Sequence, residues 1–160
     1  METMSRSDAI ARLAVARAAY AAIRPRVVAG DPWPLAEDFG TGPEASWGPR
    51  EVLAHLEEML SFWYGQHGTI VEAGRGADDP IPFGRTSGDE ARVMILERDR
   101  RFPVSDLFEL IDDGIARWER RTAATTDAQG VLVGLHPRNG ATTADELRDR
   151  MVVTHLEDHL

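Results

Sequence analysis

Hydrophobic residues recur along most of the chain at the spacing of an α-helix. From Ser7 or Asp8 to about Val28, apolar positions follow at three- and four-residue steps, which predicts a first helix with one buried face. Residues 29–46 lack this period and contain several glycines and prolines, so they predict a loop. A second helix is predicted over residues 49–73, because the proline at position 49 is well tolerated in a first helical turn. One side of this helix carries Val52, His55, Leu56, Met59, Trp63 and Ile70.

The middle of the chain predicts a short helix and a longer one. Ser87 and Glu90 have the spacing of a capping box, which predicts a short helix over about residues 88–101. Pro103 ends this helix, because the residue before a proline avoids helical angles. A third main helix is then predicted over about residues 105–125.

The last helix is predicted from a second capping box, formed by Thr143 and Glu146, and runs from about Ala144 to the C-terminus. Only residues 131–133 look like a strand, and this run is too short to build a sheet. We therefore predict an all-α fold: a four-helix bundle with an additional short helix before the third main helix, forming one domain over residues 1–160. Periodicity leaves open whether the connections are simple or cross over.

Charge and composition narrow the classes of function. The chain has 27 acidic and 18 basic residues and a net charge of −9, which argues against a nucleic acid partner. It contains no cysteine and no lysine, which excludes disulfides, cysteine zinc sites and lysine Schiff bases. No apolar run has the length of a transmembrane helix and no signal peptide is apparent, so we expect a cytoplasmic protein without a membrane partner.

Three of the five histidines are placed for a shared site. His155 and His159 are one helical turn apart and continue the apolar stripe of Leu147 and Met151 in the last helix. His55 lies on the apolar side of the second helix. Helical bundles hold metal ions with side chains from facing helices, so these three histidines are candidate metal ligands. The alternative is that each is a core histidine with a single hydrogen bond.

The remaining histidines and two glutamates have other expected roles. His67 is twelve residues from His55, about 18 Å along a helix axis, and cannot join the same site. His136 is expected in the loop before the last helix. Glu51 and Glu58 flank His55 at helical spacing, and either orient its ring or lie on a solvated flank.

Three segments together resemble the DinB/YfiT superfamily. Residues 47–56, Trp-Gly-Pro-Arg-Glu-Val-Leu-Ala-His-Leu, resemble the signature of that family's second helix. Residues 136–147, His-Pro-Arg-Asn-Gly-Ala-Thr-Thr-Ala-Asp-Glu-Leu, resemble the approach to its fourth helix, and His155 to His159 match its His-x-x-x-His pair. The order and spacing of the segments also agree with that family.

The resemblance implies a four-helix bundle that binds a divalent metal ion, zinc or nickel, through His55, His155 and His159. It also implies kinship with thiol-dependent transferases and isomerases, including mycothiol-dependent maleylpyruvate isomerases, which use a low-molecular-weight thiol such as mycothiol as a cosubstrate. No residue is matched to a thiol-binding or substrate-binding position, so the catalytic residues stay unknown.

Our leading interpretation is a metal-dependent enzyme that activates an external thiol for transfer to, or isomerisation of, a small-molecule electrophile. One alternative is a helical bundle that holds metal without turnover, for example in a stress response. Another is a plain interaction domain whose function is dimerisation. A homodimer is expected because Trp33 and Trp118 have no certain place in the core and would then be exposed.

Overall fold

Helices dominate the computed structural model, which describes residues 2–33 and 47–160. The four longer helices are α1, Arg6–Val28; α2, Pro49–Ala73; α3, Glu90–Asp99; and α4, Val104–Ala124. The predicted helical class is therefore confirmed, and the predicted bounds of α1, α2 and α4 agree with these to within one or two residues. The predicted loop over residues 29–46 falls mostly outside the described residues.

The helix ends follow from local chemistry. Helix α2 begins at Pro49 and is followed by Gly74, whose φ of 63° lies in the left-handed region where glycine is favoured at helix ends. Helix α3 begins later than predicted, because Asp89 rather than Ser87 caps it: the Asp89 carboxylate accepts a hydrogen bond of 3.1 Å from the backbone N–H of Arg92.

A small three-stranded sheet was not predicted. Its strands are β1, Ile81–Pro82; β2, Val133–His136; and β3, Gly140–Thr143; a one-turn helix α5, Asp127–Gly130, precedes β2. Strand β2 pairs in parallel with β1, where Ile81 faces Gly134, and antiparallel with β3. The sheet covers one end of α2: a side chain at Gly134 would meet the rings and methyl groups of Phe83 and Ile70 at 2.4–3.0 Å.

The C-terminal helical stretch starts as predicted but is not a uniform helix. Thr143 and Glu146 form the capping box. The stretch then consists of α6, Ala144–Leu147; a π-helical segment, Arg148–Thr154; and α7, His155–Asp158. The prediction of one regular helix was therefore wrong in its middle part.

Buried charges accompany the π-helical segment. Arg148 and Asp149 are adjacent, both buried, and paired with each other at 2.7 Å. Both also hold the N-terminal segment, because Asp149 accepts from the N–H of Met4 at 2.8 Å and Arg148 donates to its carbonyl at 3.1 Å. π-helical turns are often found next to functional sites, and this one directly precedes His155.

One core joins the long helices. Helix α1 packs on α4, and α2 packs on both α4 and the C-terminal helical stretch. Trp118 is fully buried and donates from Nε1 to the carbonyl of Leu60 at 3.0 Å; Trp33 is also buried, beside Tyr20 and Phe108. Neither tryptophan is exposed, so the observation that suggested a homodimer does not hold. Among the described helices, none is both long and apolar enough to cross a bilayer.

Candidate metal centre

Three histidines from two distant parts of the chain meet at one point. His55 lies on α2, His155 begins α7, and His159 directly follows α7. The Nε2 atom of His155 is 2.7 Å from Nε2 of His55 and 3.1 Å from Nε2 of His159. One ring nitrogen from each of the three lies within 4.8 Å of the others. The convergence inferred from the helical spacing is therefore present in the structure.

This donor set fits a divalent metal ion. Zinc binds histidine nitrogens at about 2.0–2.1 Å, and tetrahedral geometry then separates two such nitrogens by about 3.3 Å. The two Nε2–Nε2 distances of 2.7 and 3.1 Å are shorter than that separation, and all three ring nitrogens lie within 4.8 Å of one another, so modest side-chain shifts would bring them to one ion. Three nitrogen atoms aimed at one another leave their lone pairs converging on a common point, which a cation satisfies better than hydrogen bonds between the rings do.

Burial keeps these imidazoles neutral. It lowers the pKa of His159 to about 4, and it also lowers the pKa of His155. The pKa of His55 falls well below its usual value, because burial acts first and the nearby His155, His159 and Arg92 then disfavour a further positive charge. Near pH 7 all three are thus in the form that offers a free ring nitrogen to a metal.

Two aromatic side chains fix the end of α7. The Tyr20 hydroxyl donates to the carbonyl of Leu156 at 2.6 Å, and Nε1 of Trp33 donates to the carbonyl of His159 at 3.0 Å. The last carbonyls of a helix have no partner within it, and these bonds supply one from side chains of other segments. They hold His155 and His159 in place from the side of α1.

Other side chains surround His55. The ring of Trp47 lies 5.3 Å from it, centroid to centroid, and Nη2 of Arg92 lies 3.4 Å from its Nδ1. Glu58 is buried but forms an ion pair with Arg85. It therefore neither orients His55 nor lies on a solvated flank, and Glu51 is half-buried in the first turn of α2.

The other two histidines lie outside this centre. His136 is on strand β2 rather than in a loop, and its Nδ1 accepts from the backbone N–H groups of Arg138 and Asn139 at 3.1 Å each. His67 is buried against Trp118, and its Nδ1 accepts from Arg121 at 3.1 Å. Both belong to the packing of the fold.

His67 should make the stability depend on pH. Burial, together with the charges of Arg121 and Arg148, lowers its pKa to about 4, whereas an unfolded chain protonates histidine near 6.5. The contribution of His67 to the free energy of unfolding is therefore fully present above pH 6.5. It is lost as the pH falls towards 4, and the total loss is up to roughly 3 kcal/mol. We expect the free energy of unfolding of His67→Gln to decrease less than that of the wild type between pH 7.5 and pH 5. Urea unfolding in the presence of a chelator measures this. Parallel pH profiles of the two proteins would contradict this assignment.

Sequence reasoning missed several residues around the centre. Tyr20 and Trp33 reach α7 from α1 and from the segment after it, and Arg92 reaches His55 from α3. No spacing along the chain signals these contacts, because each joins segments far apart in sequence. Comparison with known proteins adds no assignment: no protein-family model matches the sequence, and no curated protein matches it.

Proposed function

We propose that the chain is a divalent-metal-dependent enzyme that activates an external low-molecular-weight thiol and joins it to a small electrophile. The observation that supports this is the convergence of three neutral imidazoles, those of the buried His55 and His159 and of the half-buried His155. Three neutral ligands leave the charge of a divalent ion undiminished and one coordination position open, which is the pattern of catalytic rather than structural sites.

The proposal includes the fold type. Helices α1, α2 and α4 with the C-terminal helical stretch are the four members of a bundle of the DinB/YfiT kind. The packing of α2 against both α4 and the C-terminal stretch supports this arrangement, because it brings His55 to the pair on the last helix. The metal expected in this bundle is zinc or nickel.

The chemistry follows from the donor set and from the absence of cysteine. A bound divalent ion supplies Lewis acidity, which lowers the pKa of a coordinated thiol. Since the chain has no thiol of its own, the sulfur must come from a cosubstrate. The three histidines orient that cosubstrate, and Trp47 covers one side of His55. The thiol proton leaves to solvent, the sulfur forms a bond to the electrophilic carbon, and the leaving group departs with the bonding electron pair.

The test is a conjugation assay with purified protein loaded with zinc or nickel. The substrates are 2-mercaptoethanol and 1-chloro-2,4-dinitrobenzene, whose reaction forms a carbon–sulfur bond, releases chloride and changes the absorbance. We expect a rate above background for the wild type, and background alone for His55→Ala. His136→Asn is the matched control, since His136 is equally buried but lies outside the centre. A loaded wild type that shows only background with a panel of such electrophiles would instead support a non-catalytic metal-binding domain.

A further inference from the structure

An arginine stands at the edge of the candidate metal centre. Arg92 lies in the first turn of α3 and is half-buried. Its Nη1 donates to the carbonyl of Ser87 at 2.9 Å, and its Nη2 is 3.4 Å from Nδ1 of His55. Its charge acts on His155 as well, where it contributes to the lowered pKa. Arg92 is thus a cation in direct contact with one member of the histidine cluster.

The charge of Arg92 is not neutralised by any carboxylate of residues 2–33 and 47–160. None of the ion pairs within 4.0 Å in this part of the chain includes it. Arg85 also acts on His55 electrostatically, but it is paired with the buried Glu58. Several other arginines of the described residues also form no ion pair, but Arg92 lies 3.4 Å from a candidate metal ligand, where an anion would complement its charge.

When His55 binds a metal through Nε2, neither group in the contact between Arg92 and His55 can accept a hydrogen bond. A neutral imidazole that coordinates through Nε2 carries its proton on Nδ1, and that N–H usually donates to a carboxylate, a carbonyl or water. A guanidinium has donors only. Two donors then face each other across 3.4 Å, and a group that accepts from both would satisfy them together.

We propose that Arg92 and the Nδ1–H of His55 bind the anionic group, a carboxylate, of the thiol cosubstrate whose sulfur reaches the metal. This inference rests on the proposed function and names its substrate class: small thiols that carry a carboxylate several bonds away from the sulfur. The carboxylate contacts the Nδ1 side of the His55 ring and the sulfur approaches its Nε2 side, so the ligand must be long enough to pass the edge of the ring.

Two matched probes test this on the cobalt-loaded protein. The probes are 5-mercaptopentanoate and 5-mercaptopentanamide, which differ in charge and share their skeleton. Binding is read from the charge-transfer absorbance between thiolate and cobalt. We expect Arg92→Gln to weaken binding of the acid about tenfold while leaving the amide within about twofold, as for the loss of one charge-assisted hydrogen bond. The two probes also differ in the acidity of their thiols. This difference cancels when the ratio of their affinities in the variant is compared with the ratio in the wild type.

Two further variants serve as controls. Arg101→Gln removes the same charge from an exposed position just after α3 and should bind both probes as the wild type does. Arg92→Lys keeps the charge but not the planar pair of donors, and should retain part of the preference for the acid. Thermal melting of each variant verifies that it is folded.

The outcomes separate this inference from the function on which it rests. If cobalt and both thiols bind but the acid-to-amide ratio is the same in wild type and Arg92→Gln, the inference is overturned and the proposed function stands. If cobalt binds without any thiolate band, thiol activation is overturned and the inference with it. If cobalt does not bind in stoichiometric amount, the metal centre itself is overturned.

Discussion

Replacing His55 or His155 with alanine is expected to abolish stoichiometric metal binding. Loss of a residue that only supports a ligand typically weakens metal affinity about 10–100-fold, so loss of one of three ligands should exceed about 100-fold. The helices should stay formed, because the core of α1, α2 and α4 does not depend on the ion. Equilibrium dialysis with zinc measures the first effect and circular dichroism the second.

His67 and His136 provide matched controls for this prediction. Both are buried, as His55 is, and neither is near the three ring nitrogens. Replacing either should leave the metal content unchanged. Loss of metal in His67→Ala with retention in His55→Ala would show that the wrong ligands had been chosen.

Breaking the ion pair next to the centre should have the largest effect on stability. The side chains of Arg85 and Glu58 are 10% and 4% exposed, so both charges are largely removed from water. Arg85→Met leaves the Glu58 carboxylate buried without its partner, which should destabilise the fold by about 3 kcal/mol or more. Urea unfolding in the presence of chelator measures this without interference from bound metal.

The double variant Arg85→Met with Glu58→Met distinguishes the cause. Replacing both partners of a buried pair by apolar side chains is often close to neutral, so the double variant should recover most of the lost stability. A double variant as unstable as Arg85→Met alone would show that the loss comes from packing, for example of the Arg85 guanidinium on the ring of Phe62, and not from the unpaired charge.

Local signals in the sequence were sufficient for the main helices. Pro49 and the capping box of Thr143 with Glu146 mark helix starts that the structure reproduces. The convergence of the three histidines could also be predicted. It followed from the four-residue spacing of His155 and His159 and from the position of His55 on the apolar side of α2. These features depend on residues within one or two helical turns, which periodicity detects.

Features made by distant segments could not be predicted in this way. Strand β1 has only two residues and contains Pro82, and it forms because β2 pairs with it across some fifty residues of chain. The π-helical segment coincides with the burial of Arg148 and Asp149 against the N-terminal Met4, a contact with no local signature. The surroundings of the histidines, including Arg92, likewise depend on tertiary packing.

The most direct measurement is the metal content and ligand shell of the untagged protein. After dialysis against zinc, elemental analysis should find about one ion per chain, and X-ray absorption at the zinc edge should show three imidazole nitrogens at about 2.0 Å. The same analysis of His55→Ala should find far less metal. A wild-type chain that retains no zinc, or retains it in a shell of oxygen atoms without imidazole, would contradict the proposal that His55, His155 and His159 form a metal centre.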